Sequence, residues 1–207
     1  MTNAPVKLEW EQAPDLILTH PALKESGGVI CIAGAVGSGK STLAQRIIGS
    51  TNASLISTDD YLPDYSTIPE HVRDEPESSH LDELADHLGQ LRRGEAAEIP
   101  TWSFHQHRRT GTQIVEPANI IVIEGIHALH PILAAVSTVG VLVEASKKTR
   151  WARWEILETT GQRGWGVRKA KAYFDQIADP TFARHRTQYI HRADFLVTND
   201  HGLPKLD

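Results

Sequence analysis

Short apolar runs recur along the chain and stop abruptly. Val29-Ile30-Cys31-Ile32-Ala33 follows Gly27-Gly28 and contains no polar position. Such a run marks a strand covered on both faces. Ile120 to Ile123 is a second run of this kind, closed by Glu124-Gly125. Val139 to Val143 and Phe195 to Thr198 are two more, and Ala53 to Ser57 is a shorter candidate. Between these runs the apolar positions change to helical spacing. Ser41 to Ile48 ends at Gly49, and Leu81, Leu84, Ala85, Leu88 and Leu91 share one face that stops at Gly94. Thr149 to Thr160 and Lys169 to Ile177 read as two further helices. Strands alternating with helices predict an α/β fold built on a central parallel sheet. Tyr61 to Ser79, rich in Pro, Ser and charge, reads as loop. Residues 1–26, broken by Pro5, Pro14 and Pro21, show only a short helix candidate at Asp15 to Leu18. They are expected to form an N-terminal extension packed on a single domain that covers 27–207.

Composition narrows the class. With 207 residues the chain suits one domain. Lys plus Arg is 21 and Asp plus Glu is 26, a formal net charge of −5. That balance argues against a general nucleic-acid or anionic-membrane binder. Cys31 is the one cysteine, so no internal disulfide can form, and its place in a buried run marks it as core. Met1 to Trp10 has no apolar signal core. No apolar run approaches the roughly 20 residues of a membrane helix. A cytoplasmic protein is expected. His105 with His107, and His127 with His130, lack the companions that a metal site needs and read as surface or hydrogen-bonding residues.

The chemistry concentrates after the first run. Gly34-Ala35-Val36-Gly37-Ser38-Gly39-Lys40-Ser41, followed by Thr42, fits G-x-x-x-x-G-K-[ST] between a strand and a helix. Glycines let the backbone curl so that successive N–H groups face phosphate oxygens, and the next helix adds its positive end. Lys40 can reach the β- and γ-phosphates, and the Ser41 hydroxyl can ligate Mg²⁺. In parallel sheets ligands sit beyond the carboxyl ends of the strands. Asp59 and Glu124 both occur there. Either can bind Mg²⁺ or take a proton from an attacking hydroxyl. Asp59 and Asp60 are adjacent, so only one is expected to face the site. Arg150 and Arg153 share a helix face, and with Arg163 they are candidate lid cations that neutralise transition-state charge.

These segments together resemble the uridine kinase and phosphoribulokinase family of P-loop kinases, from Val29 to about Asn199. The resemblance implies a three-layer sandwich of the P-loop nucleoside triphosphate hydrolase type, with a helical lid at approximately 147–169. It implies ATP and Mg²⁺, with Asp59 in Ser57-Thr58-Asp59-Asp60-Tyr61 as the catalytic base. Glu124 in Ile123-Glu124-Gly125-Ile126 falls on the acidic magnesium position. Asp74, in the block from Asp74 through Leu84, falls on a ribose-binding aspartate. Pro100 through Arg109 resembles a substrate-binding block. There Trp102 takes the place of a base-stacking tyrosine, His107 matches a substrate-contacting histidine, and Phe104 and Arg109 complete the pocket. Arg163-Gly164 resembles the lid's R-G pair. The departures fall on the nucleoside side. Trp154, Trp165 and Tyr173 stand where the family carries polar lid residues, Leu157-Glu158 replaces an R-D pair, and Ser103 replaces an aspartate.

The combined expectation is an ATP-dependent kinase that moves the γ-phosphoryl group to a hydroxyl of a nucleoside or similar metabolite. Lys40, Asp59, Arg150, Arg153 and Arg163 would carry the transfer. Other acceptors stay open, among them pantothenate, nicotinamide riboside and a sugar, as do a preference for GTP and assembly into a homo-oligomer. From a different class, a P-loop ATPase or GTPase switch acting on a protein partner remains the rival.

Overall fold

The computed structural model describes residues 4–202. Its layers follow from alternation along strand β2 (Gly28–Ala33). Successive side chains on a strand point to opposite faces. Val29, Cys31 and Ala33 enter one core, while Ile30 and Ile32 enter the other, all fully buried. β2 lies between β6 (Ile120–Gly125) and β7 (Val139–Glu144) in a six-stranded sheet. β3 (Ala53–Ser57) flanks β6, and β8 (Phe195–Thr198) flanks β7. Every pairing in this sheet is parallel.

Helices cover both faces. Leu43, Ala44 and Ile47 of α3 (Lys40–Gly49) join Ala13 and Ile17 of α1 (Ala13–Leu18) against one face. Leu81, Leu84, Leu88 and Leu91 of α4 (Leu81–Arg92) join Phe182 and Tyr189 of α7 (Asp179–Ile190) against the other. The result is the expected three-layer α/β arrangement. In the described residues no helix is long and apolar enough to cross a membrane. Burial pushes the Cys31 thiol up to about 11, in keeping with a core role.

Several elements depart from expectation. Residues 6–9, placed above in an extension, form strand β1 (Val6–Glu9), paired with β8 at the sheet edge. A helix α2 (Pro21–Ser26) then leads to the Gly27-Gly28 turn. An antiparallel hairpin of β4 (Ala97–Ser103) and β5 (Arg108–Val115) forms a second, two-stranded sheet. α5 (Lys147–Thr159) starts earlier than its apolar pattern suggests because Ser146 caps it, its Oγ accepting from the Thr149 N–H at 3.2 Å. The helix expected at Lys169 to Ile177 is α6 (Val167–Tyr173), which widens into a π-type turn at Phe174–Ala178 and continues as α7.

Candidate active site

The phosphate loop sits where β2 ends and α3 begins. Gly37 and Gly39 hold φ values of 76° and 95°, a region that side chains rarely enter. A Cβ on Gly37 would also run into the Arg150 carbonyl, and one on Gly39 into the Asn199 side chain. The first-turn N–H groups of α3 have no acceptor within the helix, so this end is made for an anion. Lys40 is buried and lines a cavity beside Val36. The Ser38 N–H donates to the Ala35 carbonyl at 3.0 Å, and its Oγ is buried without a partner. Gly34 packs against Ser38 and the Val143 carbonyl. Thr42 stands exposed in the first turn of α3.

Sheet register brings the acids to this loop. Glu124 lies opposite Ile32 on β2 and Ser57 on β3. Its Oε2 accepts from Ser41 Oγ at 3.0 Å and its Oε1 from Ser57 Oγ at 3.1 Å. Burial pushes the Glu124 carboxyl above its usual range, against the pull of Lys40, while Asp59 adds to the rise. Hard oxygen donors from Ser41 and Glu124, with Asp59 close by, suit Mg²⁺. Asp59 lies on the one-turn helix Thr58–Tyr61 that follows β3, where its N–H is capped by Ser57 Oγ, and it lines the cavity. Asp60 turns away and accepts from the Trp102 N–H at 3.1 Å, so the adjacent pair does point two ways.

The cavity beyond Asp59 is a narrow cleft that offers about 70 Å³ of free volume. Asp74, Trp102, Phe104 and His107, together with the lid candidate Arg163, line it. Asp74 Oδ1 accepts from the Tyr173 hydroxyl at 2.8 Å. Burial pushes the Asp74 carboxyl up to about 6, Tyr173 opposing and Asp59 reinforcing the rise. Trp102 is held by its Nε1–H on the Pro63 carbonyl at 3.2 Å. His107, the one non-glycine residue with positive φ among those described, carries φ 55° at the hairpin turn. The Arg163 guanidinium lies 3.5 Å from the centre of the Phe104 ring.

Three expected residues stand elsewhere. Arg109 forks onto Glu83 of α4, at 3.1 and 2.6 Å, and does not line the cavity. Arg150 is buried against Asp179 and the Ala145 carbonyl. Arg153 is buried too: it donates to the carbonyls of Gly37 (3.0 Å), Ser38 (3.2 Å), Asn199 (3.1 Å), His201 (2.9 Å) and Gly202 (3.3 Å). Arg150 and Arg153 are therefore not the free lid cations their i, i+3 spacing suggested. The helix face they share turns inward, where backbone carbonyls take the Arg153 donors and the Asp179 carboxylate pairs with Arg150. Arg163 is the one of the three that reaches the cavity.

The structure also adds residues that the pattern did not single out. Tyr65 lines the cavity from the loop after β3 and gives no signal of its own in sequence. Glu158, noted only as a departure, is buried and lines the cavity. It accepts from Trp154 Nε1 (3.0 Å), Trp165 N (3.2 Å) and Gly166 N (2.8 Å). His127, noted as half of a histidine pair, touches the backbone of Asp74.

Residues 29–199 match the model of the phosphoribulokinase / uridine kinase family. A uridine kinase from Aliivibrio fischeri is 38% identical over 111 residues, covering 47% of this chain and 52% of that protein. The chain thus spans about half the length of the first such relatives. A uridine kinase from Deinococcus deserti is 34% identical over 146 residues, covering 66% of this chain and 70% of its own. A protein from Silicibacter sp. TM1040, assigned provisionally as a fructose transport system kinase, superposes with a TM-score of 0.68 at 20% identity. The superposition covers 89% of this chain and 95% of that one. The structure of a possible uridine kinase from Bacillus stearothermophilus superposes with a TM-score of 0.59 at 16% identity, covering 90% and 96%. These two likenesses show a shared fold. With the phosphate loop, the strand-end acids and the matched span in the same order along the chain, this protein belongs to the phosphoribulokinase / uridine kinase family.

Proposed function

We propose that this chain is a cytoplasmic phosphotransferase that moves the γ-phosphoryl group of ATP to a hydroxyl of a small molecule. The observation that carries this reading is that Lys40 and Asp59 line the same cavity as Asp74, with the phosphate loop at one end. The acceptor oxygen attacks Pγ, the bond from Pγ to the β,γ-bridging oxygen breaks, and ADP leaves with that electron pair. Asp59 takes the hydroxyl proton. Lys40 and the loop N–H groups hold the phosphates in line, and Arg163 meets charge that develops on the transferred group. Ser41, Glu124 and Asp59 would hold Mg²⁺, which supplies charge neutralisation on the phosphate oxygens. Residues 147–169 would act as the lid, with Arg163 at its inner edge.

The test is ADP release from MgATP with and without a panel of nucleosides, pantothenate and sugars. Release that rises with one acceptor and yields its phosphate ester supports the reading. Release that ignores every small molecule and rises with a protein would overturn it in favour of a switch.

A further inference from the structure

The rings at the acceptor end of the cleft pack on one another. Trp165 is stacked on His107 at 5.3 Å and 17°, and Tyr65 on His107 at 5.8 Å and 22°. Tyr65 and Trp165 stand 6.4 Å apart, and Trp102 meets Tyr65 edge-on at 5.0 Å. A flat ring inserted between two parallel faces needs them about 7 Å apart, twice the carbon contact distance. None of these pairs offers that gap. The free volume of about 70 Å³ has room for a few waters. Sites that enclose a small-molecule ligand run to roughly 300 Å³ or more. The cleft as folded is therefore closed to an acceptor, and one of its walls must move.

Trp165 is the wall whose backbone allows movement. It packs against two separate clusters, Leu62, Tyr65 and Trp102 on the acceptor side and Trp154, Ala170 and Tyr173 on the lid side. Gly164 and Gly166 flank it directly. Gly166 holds φ 75°, and a Cβ there would meet nothing within 4 Å. A Cβ on Gly164 would come no nearer than 3.5 Å to His105. Close packing thus calls for glycine at neither place, whereas backbone freedom does. The loop is tied to the end of α5 as far as Arg163, whose N–H donates to the Leu157 carbonyl at 3.2 Å. Past that point Glu158 takes over. Its Oε2 accepts from the Trp165 and Gly166 N–H groups at 3.2 and 2.8 Å. Lys169 Nζ adds a contact 5.1 Å from the centre of the indole.

We propose that Trp165 is a gate: its indole fills the acceptor end of the cleft, latched by Glu158 through two backbone N–H groups, and swings out about Gly164 and Gly166 to admit the acceptor. The proposal goes beyond the phosphotransferase reading above and rests on it for the existence of an acceptor. A chain that is mostly latched binds its acceptor more weakly by the fraction of time the gate is open.

The first measurement is the acceptor KM of Trp165→Ala, with the member of the panel above that drives ADP release from MgATP. A gate competes with the acceptor, so its removal should lower KM about tenfold. A wall that held the acceptor would give the reverse, and a raised or unchanged KM overturns the proposal. Because the substitution removes packing between two clusters, a second measurement keeps the indole in place. The chain is labelled with 5-fluorotryptophan, the Trp165 signal is assigned with Trp165→Phe, and fluorine NMR is recorded without any acceptor. Exchange broadening of that signal, absent from the Trp10 signal, is expected on the μs–ms scale. Glu158→Ala should move the signal toward its position in the denatured protein. A sharp Trp165 signal that Glu158→Ala leaves in place overturns the gate. An exchanging signal in a chain that forms no phosphate ester from any hydroxyl compound supports the gate and overturns the phosphotransferase reading instead.

Discussion

Nε2 of His127 stands 2.7 Å from the carbonyl oxygen of Asp74, and its Nδ1 stands 2.7 Å from the Tyr189 hydroxyl. A carbonyl can only accept, so Nε2 carries the proton and Nδ1 accepts from Tyr189. Burial holds the His127 pKa down at about 4, so at neutral pH the ring is uncharged and keeps this tautomer. His127 follows Glu124 by three positions. One short segment thus carries both the carboxylate that meets Ser41 and the ring that fixes Asp74. His127→Ala should raise the acceptor KM about tenfold while the ATP KM stays within about twofold. His127→Gln, which keeps an N–H donor, should recover part of the loss. Equal changes in both KM values would reduce the residue to a general role in stability.

Lys40→Ala should lower acceptor-dependent turnover by about 10²-fold or more, since a fixed positive charge on the transferring phosphate is lost. Steady-state ADP release and phosphate-ester formation report this directly. Wild-type turnover in the variant would refute the assignment of the loop.

Asp74 gives a pH signature. Its folded-state pKa of about 6 lies above the ordinary aspartate value of 3.8. The folded chain therefore binds the extra proton between about pH 4 and 6, and stability from this group falls as pH rises through 6. Asp60, raised by burial to about 6 as well, contributes in the same direction. Asp74→Asn should flatten the decline in Tm between pH 4.5 and 7.5 and stabilise the protein at the upper end by about 1–3 kcal/mol. A steeper decline in the variant would contradict the buried, protonation-prone state of Asp74.

Arg153→Ala should weaken nucleotide binding through the loop it supports rather than through direct charge. An increase of about tenfold in the ATP Kd, together with a fall of several degrees in Tm, is expected from the loss of a buried hydrogen-bonded cation. Arg153→Lys should behave like Ala, because one ammonium cannot serve carbonyls spread around a planar fork. Restoration by Lys would mean that charge alone matters there.

The inner sheet is legible in the sequence because β2, β6 and β7 are unbroken apolar runs, a pattern that burial on both faces imposes. β1 is not, since Val-Lys-Leu-Glu buries only Leu8 and its partner β8 lies near the far end of the chain. β5 is mostly exposed, so nothing in its composition distinguishes it from loop. In the site, the phosphate loop and strand-end acids are legible because their chemistry depends on local spacing. Arg153 shows the limit. Its residue type and helix face are plain, yet its acceptors include Gly37, 116 positions away. Glu158 and Tyr173 likewise gain meaning only when α5 and α6 pack over Asp74.

The grip of Arg153 and Asn199 on the loop also orders events during synthesis. Asn199 Nδ2 donates to the Ser38 carbonyl from 161 positions downstream. The phosphate loop is translated early, but its carbonyls stay unclamped until β8 and the turn after it have left the ribosome. Contacts of such sequence separation close late. A nascent chain that stops short of Asn199 would carry the complete glycine-lysine motif and still lack its clamp. Nucleotide capture would then wait for β8 and Asn199, which stands 161 positions after the loop residue it clamps.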